Sequence, residues 1–427
     1  MPGKTITSFW LILSWCIFLS SCKTNDRFVA RRLREPFRQF LRHPLLGSSH
    51  VGVFMKEAGK EKPLLSFQKN KRFIPASNVK ILTAYLALKS GQDSSITARV
   101  INKNYRHLLI EPMMDPAFLH ADFQKHNFLD TLVKYDTLTF IAKEVVPYGP
   151  GWAWEDFDRF FMPEISAFPM YGNVVKISRD SSGNNVYPGY FKDSLSANKH
   201  AFRRVFCRNQ FNIPAISKGQ KLIIPFIPDK RTLEGMLRDT LGNKVIFWLE
   251  GFNEKISREI KGQPMDTLIR LMMARSDNFY ADHLLHHVAE CKDWHGKVPD
   301  WYTLYLPAMN DHPVLVDGSG LSRYNLISPS DLCVVLEKKW DEVGAKKIRN
   351  LYTCGYDAAL EKEFGHFGEN LLAKTGSMSG IFCLSGYLKS SRGKNLIFSV
   401  MINGHVNNLS NCKLLINNLL KEVYNAY

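Results

Sequence analysis

Residues 75–88, PASNVKILTAYLAL, place a serine and a lysine three positions apart at the start of an apolar run. Residues i and i+3 share one face of a helix, so a helix from Ser77 to Leu88 brings the Lys80 amine to the Ser77 hydroxyl. A serine hydroxyl is a weak nucleophile until a neighbouring base takes its proton, and lysine can be that base once burial and nearby cations lower its pKa. The stretch therefore predicts a helix that carries a nucleophilic serine and its base.

The same serine–lysine spacing recurs at Ser20, Ser66, Ser196, Ser391 and Ser410. Most pairs of this kind are accidents of the surface. Only Ser77 follows Pro-Ala and opens an uninterrupted apolar helix, where N–H groups and the positive end of the helix dipole favour a developing oxyanion. The sequence therefore favours Ser77 as the nucleophile.

Two further motifs follow, and each occurs once. Residues 276–278, Ser-Asp-Asn, close one helical pattern and open another; alone, they are explained more simply as a helix cap. Residues 374–377, Lys-Thr-Gly-Ser, indicate a strand with a cationic side chain and a glycine that lets another backbone approach closely; alone, they could be an ordinary strand end. Because both motifs follow residues 77–80 in this order, we expect all three elements to form a single site.

The ordered set resembles that of the class C low-molecular-mass penicillin-binding proteins, the D-alanyl-D-alanine carboxypeptidase/endopeptidase family. The resemblance also includes residues 151–156 (GWAWED), 317–325 (DGSGLSRYN) and 374–380 (KTGSMSG), and it runs from about residue 50 to the end of the chain. The 196 residues that separate Lys80 from Ser276 are also typical of that family. It implies an α/β fold with a discontinuous serine β-lactamase/transpeptidase-like domain, in which helices flank an antiparallel sheet.

The resemblance also implies roles for the site residues. It implies that Ser77 forms an acyl-enzyme with a D-alanyl-D-alanine peptide, that Lys80 takes the proton and that Ser276 relays it to the leaving amine. Asn278 would orient Lys80 and the substrate amide, and Lys374 would polarise this network. The substrate-binding residues would be Thr375, Gly376 and Ser377, with Thr375 at the terminal carboxylate and the Ser377 N–H in the oxyanion hole.

The same resemblance implies peptidoglycan peptides as substrates, β-lactam antibiotics as inhibitors, and neither a metal nor an organic cofactor. Two alternatives stay open: a β-lactamase or esterase on the same fold, and a catalytically inactive wall-binding lipoprotein. The formal charge of +16 points to an anionic partner or surface, but the sequence lacks a nucleic-acid-binding motif, which disfavours nucleic acid.

Strand and helix patterns indicate how the chain is divided. We expect strands within 51–67, 382–388 and 395–403, and helices at 229–241, 267–290 and 410–424. The stretch between them is rich in short strands and in Gly, Asn and Ser. The sequence therefore predicts a catalytic domain of residues 49–94 and 233–427, interrupted by an inserted strand-rich module of residues 95–232.

The first residues predict export. Lys4 precedes the apolar run 9–19, which is too short to span a bilayer, and Leu-Ser-Ser then leads to Cys22. This resembles a bacterial lipoprotein signal, with residues 1–21 removed and Cys22 lipidated; an ordinary secretory peptide is the alternative. We therefore expect a protein anchored by lipid to a membrane of the bacterial cell envelope, on the periplasmic side.

Residues 22–48 are expected to form a basic tether after this anchor. Their arginines alternate with apolar residues, so the segment is either a helix attracted to an anionic surface or a solvated linker. The cysteines that remain after Cys22 show no metal-binding spacing, and their disulfide pairing cannot be read from the sequence.

Overall fold

The computed structural model describes residues 29, 31–181, 183–197, 203–213, 216–242, 244–251, 258–294, 296–309, 313–352, 358–406 and 408–427. The predicted signal peptide 1–21 and the lipidation site Cys22 lie outside these residues. None of the helices within the described ranges combines the length and the apolar character needed to cross a membrane.

The helices include those expected at 77–88, 229–241, 267–290 and 410–424, and the third of these stretches forms two helices. They are α1 (31–41), α2 (Val79–Lys89), α3 (Asn127–Leu132), α4 (Lys230–Leu241), α5 (Met265–Arg275), α6 (Asn278–Cys291), α7 (Val298–Tyr305), α8 (Pro329–Val343), α9 (Ala345–Leu351), α10 (Ala358–Phe364) and α11 (Leu409–Ala426).

The strands range in length from two to 11 residues. They are β1 (His50–Glu57), β2 (Pro63–Phe67), β3 (Ser94–Asn104), β4 (His107–Pro112), β5 (Thr137–Ile141), β6 (Val174–Asp180), β7 (Gly183–Tyr187), β8 (Leu195–Ser196), β9 (Phe211–Asn212), β10 (Lys221–Pro225), β11 (Val245–Leu249), β12 (Arg258–Pro264), β13 (Leu371–Met378), β14 (Ile381–Lys389) and β15 (Asn395–Asn403).

The main sheet is antiparallel, in the order β13-β14-β15-β1-β2, and it joins the two ends of the chain. Its central strands are buried on both faces because side chains alternate between two cores. Ile381 and Cys383 of β14 face the core that includes α2, α5, α6 and α8, whereas Phe382 and Leu384 face the core that includes α10 and α11. The predicted α/β fold is confirmed.

The inserted module has its own core and its own sheets. Five strands pair in the order β11-β5-β4-β3-β12, three more in the order β10-β6-β7, and β8 pairs with β9. Because β12 pairs with β3 and α4 packs its Leu233, Met236 and Leu237 into the same core, the module continues to Pro264. The predicted boundary at 232 therefore falls too early, because it lies within α4, which belongs to the module.

The predicted tether needs a similar correction. Residues 31–41 form α1, and Leu33 and Phe40 are buried in the core that contains Leu415 and Leu419 of α11. The arginines at 31, 32, 34, 38 and 42 are exposed on the other side. This part of the segment is thus a packed element of the catalytic domain with a basic outer face, neither a linker nor an isolated surface helix.

Five cysteines of the described residues are free thiols: Cys207, Cys291, Cys333, Cys383 and Cys412. Cys333 and Cys383 are buried, as their apolar surroundings in the sequence suggest, and burial raises the pKa of both thiols.

Lys339 on α8 is an unusual member of the core, because it is fully buried and its amine contacts the hydroxyl and the ring of Tyr352. Burial lowers the pKa of Lys339 from 10.5 to about 7. In the unfolded chain the same amine keeps its ordinary pKa, so between about pH 7 and pH 10 the unfolded state binds the extra proton. This group therefore costs stability at neutral pH, and the cost falls as the pH rises.

We expect Lys339→Met to raise the free energy of unfolding below pH 7 and to gain little near pH 10. Through that window the wild type should regain up to about 1.4 kcal/mol for each pH unit, and the variant should not. Denaturant titrations at several pH values measure this, with the exposed neighbour Lys338→Met as control. A destabilised Lys339→Met protein at every pH would contradict the interpretation.

Candidate active site

Ser77 lies in the single 3₁₀ turn Ala76–Asn78, which leads directly into α2. The preceding Ala76 has φ +46°, a left-handed conformation that is unfavourable for a residue with a side chain. Gly320 packs against this turn so closely that a Cβ at Gly320 would lie 1.9 Å from the Ala76 carbonyl oxygen. The turn that presents Ser77 is therefore fixed by a backbone contact that only glycine allows.

Lys80 is fully buried one turn into α2, and its Nζ contacts three oxygen atoms. The distances are 3.0 Å to Ser77 Oγ, 2.6 Å to Asn278 Oδ1 and 2.6 Å to the Ser319 carbonyl. A neutral amine has two N–H donors and one lone pair. Two donated bonds, to Asn278 and Ser319, leave the lone pair directed at the Ser77 hydroxyl, which is the arrangement a base requires.

The electrostatic surroundings favour this neutral form. Burial, together with the positive charge of Lys374, lowers the pKa of Lys80 from 10.5 to about 7, against the opposite effect of the carboxylates of Asp282, Asp317 and Asp277. Near neutral pH a substantial fraction of Lys80 is therefore uncharged and able to accept a proton.

The turn between α5 and α6 carries Ser276, Asp277 and Asn278. The helix-cap explanation holds for Asp277, whose carboxylate accepts from the Tyr280 N–H, while Asn278 binds Lys80 and donates from Nδ2 to the Phe161 carbonyl. Ser276 ends α5 at φ +54°, and within the described residues its hydroxyl makes no hydrogen bond. The motif thus combines a structural cap with a functional contact.

The strand β13 brings residues 374–377 to the same place. Lys374 and Thr375 are buried and Ser377 is exposed. Asn78 donates from Nδ2 to the Lys374 carbonyl at 3.0 Å, so the strand is bonded to the residue after Ser77. A Cβ at Gly376 would lie 2.6 Å from the Pro75 carbonyl oxygen. Glycine is required at this position because the strand packs directly against the turn of Ser77.

Three residues of the site carried no individual role in the sequence analysis: Asp282, Asp317 and Ser319. The Ser319 carbonyl binds Lys80, and Asp282 Oδ1 accepts from the N–H groups of Gly318 and Ser319, which fixes that carbonyl. Asp317 accepts from Gly320 and holds the same loop. A signal for Asp282 existed: it is a carboxylate four residues after Asn278 and therefore on the same helix face.

The inserted module contacts the site directly. Trp152, in the GWAWED stretch, donates from Nε1 to Asp317 Oδ2, and Ser322 Oγ donates to the Pro150 carbonyl. At the other side of the module, Asp122 binds Arg275 at 2.6 Å and accepts from the Tyr280 hydroxyl. The module therefore holds both the 317–322 loop and the turn that carries Ser276.

Comparisons with known proteins agree with this geometry. Residues 33–189 and 258–418 match the D-Ala-D-Ala carboxypeptidase 3 (S13) family. The D-alanyl-D-alanine carboxypeptidase DacB of Haemophilus influenzae is 31% identical over 160 residues, which are 34% of this chain and 32% of that protein. The penicillin-sensitive carboxypeptidase A of Dictyostelium discoideum is 27% identical over 166 residues, 34% of this chain and 31% of that protein.

The matched segments thus span only about a third of the length of these relatives. The likeness of fold extends further. The crystal structure of penicillin binding protein 4 (dacB) from Haemophilus influenzae superposes with a TM-score of 0.71 at 19% identity, over 91% of this chain and 99% of that one. At that identity the likeness shows a shared fold.

The origin of the lowered pKa of Lys80 can be tested through the pH dependence of acylation. If neutral Lys80 accepts the Ser77 proton, the acylation rate should rise with pH through about 7. Lys374→Met removes a positive charge that favours the neutral amine, so the pKa of Lys80 should rise and the rising limb should move to higher pH. Stopped-flow measurements of the acylation rate with a chromogenic β-lactam at several pH values give the midpoint of this rise.

A lower acylation rate in Lys374→Met does not by itself test whether Lys374 lowers the pKa of Lys80. The quantity that tests it is the pH at the midpoint of the rise in acylation rate. Lys389→Met, which removes an equal charge from the exposed end of β14, is the control and should leave the midpoint unchanged. A midpoint that stays in place in Lys374→Met, or moves to lower pH, would show that Lys374 does not set the protonation of Lys80.

Proposed function

This chain belongs to the D-Ala-D-Ala carboxypeptidase 3 (S13) family, and we propose that it is a serine peptidase that cleaves D-alanyl-D-alanine peptides of peptidoglycan through an acyl-enzyme at Ser77. The observation that carries the proposal is the contact of the buried Lys80 amine with Ser77 Oγ, Asn278 Oδ1 and the Ser319 carbonyl. These contacts support the assignment of Ser77 as nucleophile, Lys80 as its base, and Asn278 and Ser319 as the groups that orient the base.

In the acylation step, Ser77 Oγ attacks the carbonyl carbon between the two D-alanines while Lys80 takes the hydroxyl proton. The negative charge that develops on the carbonyl oxygen would be stabilised by the backbone N–H groups of Ser77 and Ser377, each contributing about 3 kcal/mol in comparable sites. The C–N bond then breaks and the proton passes to the leaving amine. Ser276, at the turn beside Asn278, is the proposed relay for this proton, and Lys374 polarises it.

Substrate binding is proposed to follow β13. The part of this edge strand from Thr375 to Ser377 can pair with an extended peptide, and Thr375 with Lys374 would hold the terminal carboxylate. Water then hydrolyses the ester at Ser77. A free D-alanine as leaving group gives carboxypeptidase activity, and a cross-linked stem peptide as leaving group gives endopeptidase activity by the same steps.

β-Lactams are proposed to acylate the same serine and to inhibit the enzyme, because a strained cyclic amide undergoes the same first step and its leaving group stays attached. Two relatives fit this view in their names, as a penicillin binding protein and a penicillin-sensitive carboxypeptidase. If a penicillin were turned over rapidly and no adduct accumulated, β-lactamase activity would be the better assignment.

We further propose that the protein acts in the cell envelope on the periplasmic side, anchored by lipid at Cys22. The support is the short apolar run that ends at Leu-Ser-Ser-Cys22 and the position of the folded domain, whose family match begins at residue 33. A chain of about ten residues reaches at most about 35 Å, so a lipid at Cys22 would hold the domain close to the membrane.

The nucleophile assignment predicts that a fluorescent penicillin labels the protein on the peptide that contains Ser77. Ser77→Ala should lower labelling and peptide hydrolysis by at least about a thousandfold, because the variant lacks the hydroxyl that would attack the substrate. Ser66→Ala is the matched control, since Ser66 belongs to an exposed serine–lysine pair with the same spacing. Labelling that maps to Ser276 or Ser196 would contradict the assignment.

The anchor predicts that Cys22→Ala abolishes lipid attachment and releases the protein from membranes or blocks its processing. Cell fractionation and the mass of the mature protein are the measurements. Cys16→Ala, which changes a cysteine within the proposed signal peptide, should be processed normally. A Cys22→Ala protein with the wild-type mature mass that still fractionates with membranes would refute lipidation at this cysteine.

A further inference from the structure

One face of the β10-β6-β7 sheet carries two lysines beside a cavity. The register pairs Lys176 with Tyr187 and Ser178 with Asn185 on one side, and Ser178 with Lys221 on the other, so these side chains share a face. They line a cavity of about 450 Å³. We call these five residues the lysine face; it lies in the inserted module, outside the residues that contact Ser77.

The two ammonium groups of the lysine face are not neutralised within the described residues. Neither Lys176 nor Lys221 forms an ion pair or a side-chain hydrogen bond there, although Lys176 is half-buried and burial lowers its pKa. Asp180, the acid on this face, accepts from Asn185 Nδ2. A partly desolvated cation is stabilised when an anion contacts it, so the cavity is suited to an anionic ligand.

The carboxylates near Lys176 are already engaged. Asp122 binds Arg275 and the Tyr280 hydroxyl, and Asp277 caps α6. Both carboxylates raise the pKa of Lys176, which places them within electrostatic range, whereas Arg275 and Lys221 lower it. An added anion could therefore contact the two lysines while both carboxylates keep these partners.

The position of the lysine face limits what can bind there. Tyr187 of the lysine face donates to the Leu119 carbonyl, three residues before Asp122, and Asp122 binds Arg275, the residue immediately before Ser276. These contacts connect the lysine face to the segment that carries the turn of Ser276 and Asn278. A ligand that occupies both the cavity and the site at Ser77 must be a long one that bears a negative charge at a distance from the bond to be cleaved.

We infer that the lysine face binds a free carboxylate of the peptidoglycan stem peptide outside the scissile D-alanyl-D-alanine bond. The inference rests on the proposed function and names a specificity site for it. Stem peptides carry such a group at the γ-linked glutamate, where the α-carboxylate is either free or amidated. The two lysines would make the enzyme distinguish these two forms, which a site limited to the terminal dipeptide would not do.

The test compares two pentapeptide substrates that differ only in this α-carboxylate, one free and one amidated. In the wild type, kcat/KM should be higher for the acid, and Lys176→Gln with Lys221→Gln should remove the preference. The loss on the acid should be about three- to tenfold, the range expected of partly exposed ion pairs, with no loss on the amide. The preference should also weaken with added salt, because the contacts are exposed to solvent.

Two controls separate this inference from the proposed function. The rate of acylation by penicillin should be the same in the double variant and the wild type, because a β-lactam lacks the second carboxylate. Lys134→Gln with Lys192→Gln removes two exposed charges from the same module and should keep the preference for the acid. A wild type without peptidase activity or penicillin labelling would refute the function itself.

Other results would overturn the inference alone. An active wild type that turns over acid and amide equally would do so, as would a double variant that keeps the preference. Equal losses on acid and amide would show that the lysines act through the Ser276 turn. If instead the double variant kept the preference but lost retention on vesicles of anionic phospholipid, the lysine face would bind lipid headgroups.

Discussion

The buried amine of Lys80 links three segments of the chain. It lies between a hydroxyl from the start of α2, an amide oxygen from the start of α6 and a backbone carbonyl from the 317–322 loop. A buried amine is costly unless its donors are satisfied, so every neighbouring element must keep these oxygens in position. The stability of the catalytic domain and the chemistry of Ser77 therefore depend on the same contacts.

The inserted module belongs to that arrangement and is more than an appendage. Asp122 of the module binds Arg275, beside the turn of Ser276, and Trp152 of the module donates to Asp317 in the 317–322 loop. His283 of α6 accepts from the Ser166 N–H of the module. These are directional contacts between buried or half-buried groups, which transmit small displacements. A change within the module can therefore alter the geometry at Ser77 without touching it.

The local parts of the site could be predicted, and the distant ones could not. The contact of Ser77 with Lys80 follows from helical spacing, and Gly376 follows from the need for close backbone approach. Asp282 and Ser319 could not be connected to Lys80, because periodicity carries no information on which loop packs against which helix. For the same reason the sequence predicts that residues 31–48 are part of a tether, whereas their apolar residues pack against α11, at the opposite end of the sequence. The predicted end of the module is wrong because β12 pairs with β3, although the rest of the module separates these two strands in the sequence.

The main sheet also fixes the order in which the protein can assemble during synthesis. β1 pairs with β15, which is made about 350 residues later, and Lys374 lies on a strand that pairs only with β14. Ser77 and Lys80 leave the ribosome early, but the strand that completes their site is among the last parts of the chain. Contacts of such long sequence separation form slowly. In a partly made or partly translocated chain, Ser77 and Lys80 therefore lack the strand that completes their surroundings, and the acylation proposed at Ser77 would require the C-terminal strands to be in place.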